Sequence, residues 1–327
     1  MYEYVQSSST SLQMNGFLKT YLAVNNSYRK KVAFRIGIDA GFFSEYNNMI
    51  FTLHYCLGHN IKFILNSNSA NFSFEKGWED YFLPYSDESQ FFLNKYYNTR
   101  LAPPVVVRIR DKIGFHIYKL FLKLRRFDFV TWQLLPEALK QKTDLIYPIP
   151  ALGLNGTLFE NCRILSDFIW QFQPGIKAEI EKITTSLIIP EPYIGFHIRR
   201  GDKKTETTLI PVVNYFLEAE KHTSIRNGFV STDDYSVIEE LKEKFPSWTI
   251  STLSTGIERG YSQNIQARKS KSRIRAEMIR LFAEIELLAK AELFFGTFSS
   301  NVSLYMAWRI PREKCFGVDF KEWKILA

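Results

Sequence analysis

The chain predicts an α/β protein with largely parallel sheets, and three observations predict it. Short β-rich apolar runs alternate with helix-compatible segments along its 327 residues, the pattern of strands joined by crossover helices. That length accommodates two domains of ordinary size, each able to bury its own core. Two of the later strand-like runs, Tyr193 to Ile198 and Leu293 to Thr297, lead into basic or hydroxyl residues, which is where open parallel sheets hold their ligands.

In the first half, Lys31 to Ile38, Lys62 to Leu65 and Asp144 to Ile149 read as strands. Between Arg108 and Arg126, Ile113, Ile117, Leu120, Phe121 and Leu124 fall at helical spacing, with Lys112, Lys119, Lys123, Arg125 and Arg126 around them. Two readings of this helix stand open. It lies on an anionic membrane surface, or it packs its apolar side into the first domain while the lysine stems snorkel. The run IIPEPY, Ile188 to Tyr193, carries two prolines that interrupt helix. It predicts a domain junction that divides the chain into residues 1–188 and 189–327.

In the second half the strands are Tyr193 to Ile198, Gly228 to Thr232, Trp248 to Thr252 and Leu293 to Thr297. Met278, Leu281, Phe282, Ile285, Leu288 and Ala289 form one apolar stripe on a helix from Arg275 to Lys290, with Glu284 at its edge.

The chemistry concentrates in YIGFHIRRGDKKTE, Tyr193 to Glu206. Tyr193, Ile194, Phe196 and Ile198 suit a buried strand, so Arg199, Arg200 and Lys203 leave its C-terminal end, where Gly201 lets the backbone turn. Guanidinium groups bind phosphate with paired hydrogen bonds and lysine adds a mobile point charge, a mixture suited to a diphosphate. Glu206, just beyond, is a candidate base. The alternative is a basic strand end closed by Arg–Asp surface pairs. A second block, Leu293 to Trp308, runs from strand through Gly296 and Thr297 to Ser299, Ser300 and Asn301, then into helix. Free backbone N–H groups and hydroxyls at such a helix start form a phosphate cradle, unless the serines serve only as caps.

Several classes are disfavoured. No GxGxxG or Walker loop follows a strand. The five histidines form no metal pattern, and the three cysteines, Cys56, Cys162 and Cys315, give neither a disulfide framework nor a zinc spacing. No signal peptide and no run of about 18 apolar residues is present. The formal charge of +8 favours acidic partners. Nucleic acid is not among them, because neither the Arg108 to Arg126 cluster nor the Arg268 to Arg275 cluster, which reads as a solvated loop, interleaves stacking aromatics with a known module.

At these blocks the sequence resembles the α1,6-fucosyltransferase family, which includes the core fucosyltransferases of N-glycans and the Nod-factor fucosyltransferases. The family's HVRRTDK, ATDD and TFSSQV appear as HIRRGDK, STDD (Ser231 to Asp234) and TFSSNV (Thr297 to Val302). GWEDYFLP (Gly77 to Pro84), GFFSEYNNMI (Gly41 to Ile50) and QFQPGIKAEIEK (Gln171 to Lys182) resemble its glycine-tryptophan-glutamate block, first glycine-bearing loop and interdomain helix. The resemblance runs in order from about residue 31 to 310.

The resemblance implies a GT-B architecture of two facing α/β domains. The N-terminal one lies on the acceptor side, and the second is Rossmann-like and binds the nucleotide sugar. It implies inverting, metal-independent transfer of L-fucose from GDP-β-L-fucose to a glycan hydroxyl, without a cofactor. Arg199, Arg200 and Lys203 would neutralise the departing diphosphate with Asp202 among them, Ser300 and Asn301 would hold phosphate from the other side, and His197 and Glu284 would read guanine. Gly41, Phe42 and Phe72 would stand near the nucleotide.

Glu206 would be the base, although it follows Lys203 by three residues where the family glutamate follows by four. Glu284 replaces an aspartate, Asn301 a glutamine, and Phe42 and Phe72 tyrosines. A different nucleotide sugar and an idle glycan-binding relative are the alternative readings. The implied acceptor is an oligosaccharide or lipid-linked glycan. The expected location is cytoplasmic and peripheral to a membrane, or the Golgi lumen if the chain is part of a longer protein.

Overall fold

The computed structural model describes residues 16–38, 40–90, 109–200, 209–260 and 269–323. The chain forms two compact units, one reaching Gln173 and one running from Pro174 to Leu326.

The first unit carries helix α1 (residues 16–27), strand β1 (Lys30–Arg35), α2 (Phe42–Gly58), β2 (Ile61–Asn66), α3 (Ile109–Leu124), β3 (Phe129–Val130), α4 (Thr131–Leu139) and α5 (Leu158–Ile169). Its sheet has the order β2-β1-β3, all parallel, with Val32 opposite both Phe63 and Phe129. The expected strand at Asp144 to Ile149 does not form. Only isolated bridges occur there, Ile146 to Thr157 and Ile149 to Leu154, because Pro148 and Pro150 lack the N–H groups a ladder needs. The third strand is instead the two-residue β3, held in place where Lys31 N–H donates to Asp128 Oδ2 at 2.8 Å.

The unit's core is aromatic. Tyr46, Trp78, Phe82 and Trp170 are buried, with Trp78 stacked on Phe82 at 4.3 Å between ring centroids. The GWED block has a structural reason. Gly77 adopts φ 76°, a conformation that favours glycine, with its backbone against Ser67. The Asp80 carboxylate then collects the N–H groups of Phe74, Glu75, Lys76 and Gly77.

The second unit carries α6 (Pro174–Ser186), β4 (Ile194–Ile198), α7 (Val212–His222), β5 (Asn227–Thr232), α8 (Ser236–Lys244), β6 (Thr249–Ser251), α9 (Lys271–Lys290), β7 (Leu293–Gly296), α10 (Asn301–Arg309) and β8 (Cys315–Gly317). All five strands are parallel, in the order β6-β5-β4-β7-β8. Ile194, Phe196 and Ile198 pack on α7 and α8. Alternation turns Gly195 and His197 to the other face, where Gly195 lies against Leu288 and Ala291 at the end of α9.

The compact units divide before the expected junction at Ile188 to Tyr193. The cause is α6, which buries Ile176 and Ile180 and is tied to α9 where the Arg275 guanidinium donates to both Glu179 oxygens at 3.0 and 2.5 Å. Each such isoleucine contributes roughly 1.5–3 kcal/mol by burial.

Candidate functional site

In the second unit the chain runs outward from β4 in one direction through β5 and β6, and in the other through β7 and β8. The switch point therefore lies between β4 and β7, and ligands of open α/β sheets sit outside the strand ends at such a point. Here β4 delivers Arg199 and Arg200, and β7 delivers Thr297, Ser299 and Ser300. A cavity of about 360 Å³ opens between them, lined by Arg199, Ile210, Tyr215, Thr297, Ser300 and Asp319 among others.

The arginines are aimed by a residue the sequence reading left without a role. Asp233, of the STDD run after β5, accepts the Arg200 N–H through Oδ1 at 2.8 Å. Its Oδ2 lies 3.4 Å from Arg199 Nε. One carboxylate thus sets the backbone at Arg200 and the guanidinium of Arg199. The sequence signal of it is the DD pair directly after a strand, within the STDD run.

Behind the strand ends lies a buried polar group on the α9 face. His197 is opposite Ser231 in register. His197 Nδ1 is 3.0 Å from Ser303 Oγ of α10, and Ser231 Oγ donates to Glu284 Oε2 of α9 at 2.7 Å. Burial first, then the Arg199 charge, lower the His197 pKa to about 3, so the imidazole is neutral. Burial raises Glu284 to about 7 against the opposing pull of Arg280 and the Ser231 hydrogen bond. Glu284 lies inside the buried stripe rather than at its edge, at 6 % exposure, with Met278, Phe282, Ile285 and Leu288. Gly296 makes room for this group, since a Cβ there would collide with Ser303 Oγ.

The helix start at α10 departs from the expected cradle. Ser300 occupies the cap position, yet its side chain makes no capping hydrogen bond. Asp319 instead accepts the N–H groups of Phe298 and Ser299 at 2.7 and 2.9 Å, and the Ser300 N–H donates to Thr297 O at 2.9 Å. These amides are committed within the protein, so the cavity wall here is made of Thr297, Ser299 and Ser300 together with Asp319. Asn301 is the first residue of α10.

Gly41, Phe42 and Phe72 belong to the first unit. Phe42 and Phe72 are 6 % and 3 % exposed and pack edge to face at 5.2 Å between centroids. Both rings pack within the aromatic core of the first unit. Gly41 caps α2 with an ordinary φ of −65°. The demanding glycine of that loop is Gly37, at φ 74° with a Cβ position blocked by Ala70. The loop is held by the buried Glu45 carboxylate, which accepts N–H groups from Gly37, Ile38 and Ala40 at 3.2, 3.0 and 3.2 Å. Asp202, Lys203 and Glu206 lie outside the described residues. All three cysteines are buried, with Cys315 pushed up to about 12 by burial, so none is a candidate nucleophile.

Two α/β units, with a parallel sheet in the second that presents the Arg199 guanidinium at its switch point, define a nucleotide-sugar transferase fold of the GT-B type. The family model for alpha-(1,6)-fucosyltransferase N- and catalytic domains matches residues 27–313, and the chain belongs to that family of glycosyltransferases. Among solved structures, the fucosyltransferase NodZ from Bradyrhizobium is similar at 14 % identity and a TM-score of 0.51, over 86 % of this chain and 94 % of that one. A NodZ alpha-1,6-fucosyltransferase co-crystallized with GDP is similar at 13 % identity and a TM-score of 0.50, over 86 % of this chain and 93 % of that one.

Proposed function

We propose that this protein is an inverting, metal-independent fucosyltransferase that moves L-fucose from GDP-β-L-fucose to a glycan hydroxyl. The observation that carries the reading is the Arg199 guanidinium, paired with Asp233, on the cavity at the ends of β4 and β7, with Arg200 next in sequence and its backbone N–H held by the same carboxylate. A diphosphate leaving group needs this arrangement. The acceptor oxygen attacks the anomeric carbon, the bond from that carbon to the phosphate oxygen breaks, and GDP departs with the electron pair. Preorganised guanidinium groups stabilise the charge that accumulates there. Ser300 and Asn301 face the leaving phosphate from β7 and α10, and Lys203 adds a further cation.

The neutral His197 and the carboxylate of Glu284 are assigned to guanine. A carboxylate accepts from the adjacent ring and exocyclic N–H donors of that base and finds no such pair on uracil. The NodZ alpha-1,6-fucosyltransferase co-crystallized with GDP supports a guanine nucleotide as the leaving group here. Glu206 is assigned as general base on its place after Lys203, taking the acceptor hydroxyl proton.

The test is thermal unfolding with GDP and UDP, followed by transfer assays with GDP-fucose and other GDP-sugars. GDP at one hundred times its dissociation constant stabilises by roughly 2.7 kcal/mol, and UDP does not. Equal stabilisation by both nucleotides removes the guanine assignment. Turnover of another GDP-sugar in preference to GDP-fucose replaces the donor.

A further inference from the structure

The surface of α3 carries an inference independent of the donor sugar. The helix projects Ile113, Ile117, Leu120, Phe121 and Leu124 at 65, 45, 57, 42 and 67 % exposure. At helical spacing these five positions fall on one continuous stripe. The unit's own core takes a different side of the helix, where Tyr118 is buried and Leu122 packs with it against Val130 and Trp132. Of the two sequence readings, packing of the apolar stripe into the first domain is therefore the one the fold does not adopt.

Beyond Asp111 in its first turn, the charge along this helix is of one sign. From Lys112 to Arg126 the sequence contains no Asp or Glu, against Lys112, Lys119, Lys123, Arg125 and Arg126. Lys119 and Lys123 are exposed and flank the stripe on its side away from Tyr118 at helical spacing. The helix then closes in a Schellman turn. Arg126 takes φ 58°, Phe127 N–H donates to Leu122 O at 3.0 Å, and Arg126 N–H donates to Lys123 O at 3.2 Å. This stop places Arg125 and Arg126 as an exposed pair at the end of the stripe. Among the described residues no helix is long and apolar enough to cross a membrane.

We propose that α3 is an interfacial helix that docks this protein on an anionic lipid surface, its apolar stripe in the acyl boundary and its cations on the headgroups. An exposed apolar stripe edged by cations, with no acid between Lys112 and Arg126, fits a surface that is apolar inside and negative at its face. A second copy of the chain fits less well. Two α3 helices packed antiparallel, stripe to stripe, would bring Lys119 and Lys123 of both together with no compensating carboxylate between Lys112 and Arg126 of either.

The test is co-sedimentation of the full-length protein with phosphatidylcholine vesicles, with and without about one third phosphatidylglycerol. Two variants accompany it, Ile117→Ser/Leu120→Ser/Leu124→Ser and Lys119→Glu/Lys123→Glu. Both change exposed positions, and unchanged unfolding temperatures show that they fold. Expected is binding to the anionic vesicles only, weakened by salt and reduced on the order of tenfold or more by either variant. Three results overturn the proposal. They are equal binding to neutral vesicles, binding that survives both variants, and a dimer in light scattering that the serine variant dissociates while the vesicles stay bare.

Discussion

Ser231 Oγ donates to Glu284 Oε2 across 2.7 Å, joining β5 to α9 one strand away from His197. The carboxylate is buried, and burial holds its pKa at about 7 rather than 4.5. A raised carboxyl pKa favours the folded state at pH below the unfolded value, and that contribution is lost as pH rises through the folded one. Glu284→Gln is therefore expected to stabilise the protein at pH 8, by up to about 3 kcal/mol, and to change little at pH 4.5.

The same titration governs the nucleotide. If guanine needs the ionised carboxylate, about one tenth of the protein is competent at pH 6 and about nine tenths at pH 8, so GDP binds roughly tenfold more weakly at the lower pH. Calorimetry at both pH values, with Glu284→Gln as reference, checks this. A variant that keeps both the affinity and its pH slope removes Glu284 from the base site.

Arg200→Lys conserves charge and keeps the backbone N–H bonded to Asp233, but it removes the guanidinium fork. Turnover is expected to fall by roughly 2.7–4 kcal/mol in activation free energy, the cost of losing one preorganised donor. Asp233→Ala is expected to weaken GDP binding as well as turnover, because it removes the acceptor of the Arg200 N–H and the partner of the Arg199 guanidinium together. Steady-state kinetics read beside GDP affinity separate the two. Wild-type kinetics in folded Arg200→Lys places that arginine outside the site.

Gly296→Ala drives a methyl group into Ser303 Oγ and the Phe294 ring, an overpacking expected to cost about 1–3 kcal/mol. Ser303→Ala in the same chain should return part of that loss, a coupling that a double-mutant cycle of unfolding free energies measures. Strict additivity of the two substitutions would show that Gly296 and Ser303 do not share this contact.

Glu206→Gln is expected to lower turnover by roughly a hundredfold to ten-thousandfold, the range of general base catalysis, while leaving GDP affinity unchanged. Asp202→Asn is the companion variant, and it should weaken GDP binding as well as rate. Full turnover in Glu206→Gln, with Asp202→Asn losing turnover alone, reassigns the base.

The residues from Tyr193 to Arg200 were legible as a buried strand ending in cations because an apolar run and its charged exit are contiguous in sequence. The same holds for the strand, turn and helix from Leu293 to Trp308, and for α9, whose stripe recurs with the helical period. In the first half, Asp144 to Ile149 misled because its apolar residues mask the effect of Pro148 and Pro150, while β3 is too short for any periodicity to register.

What the sequence by itself determined is local. It set which segments become strands and helices, where cations leave a strand, and through its motifs the family. Tertiary structure alone decided the partners of the buried carboxylates. Asp319 takes the Phe298 and Ser299 amides, Asp233 aligns the arginines of another strand end, and Glu284 turns from helix edge to core. It also withdrew Phe42 and Phe72 into the aromatic core and left the stripe of α3 in solvent. The physical reason is the range of the forces that decide each. Periodicity and capping act over a few residues, whereas a buried polar group takes whichever partner the packed chain brings within hydrogen-bond distance, and that depends on the order in which strands lie side by side.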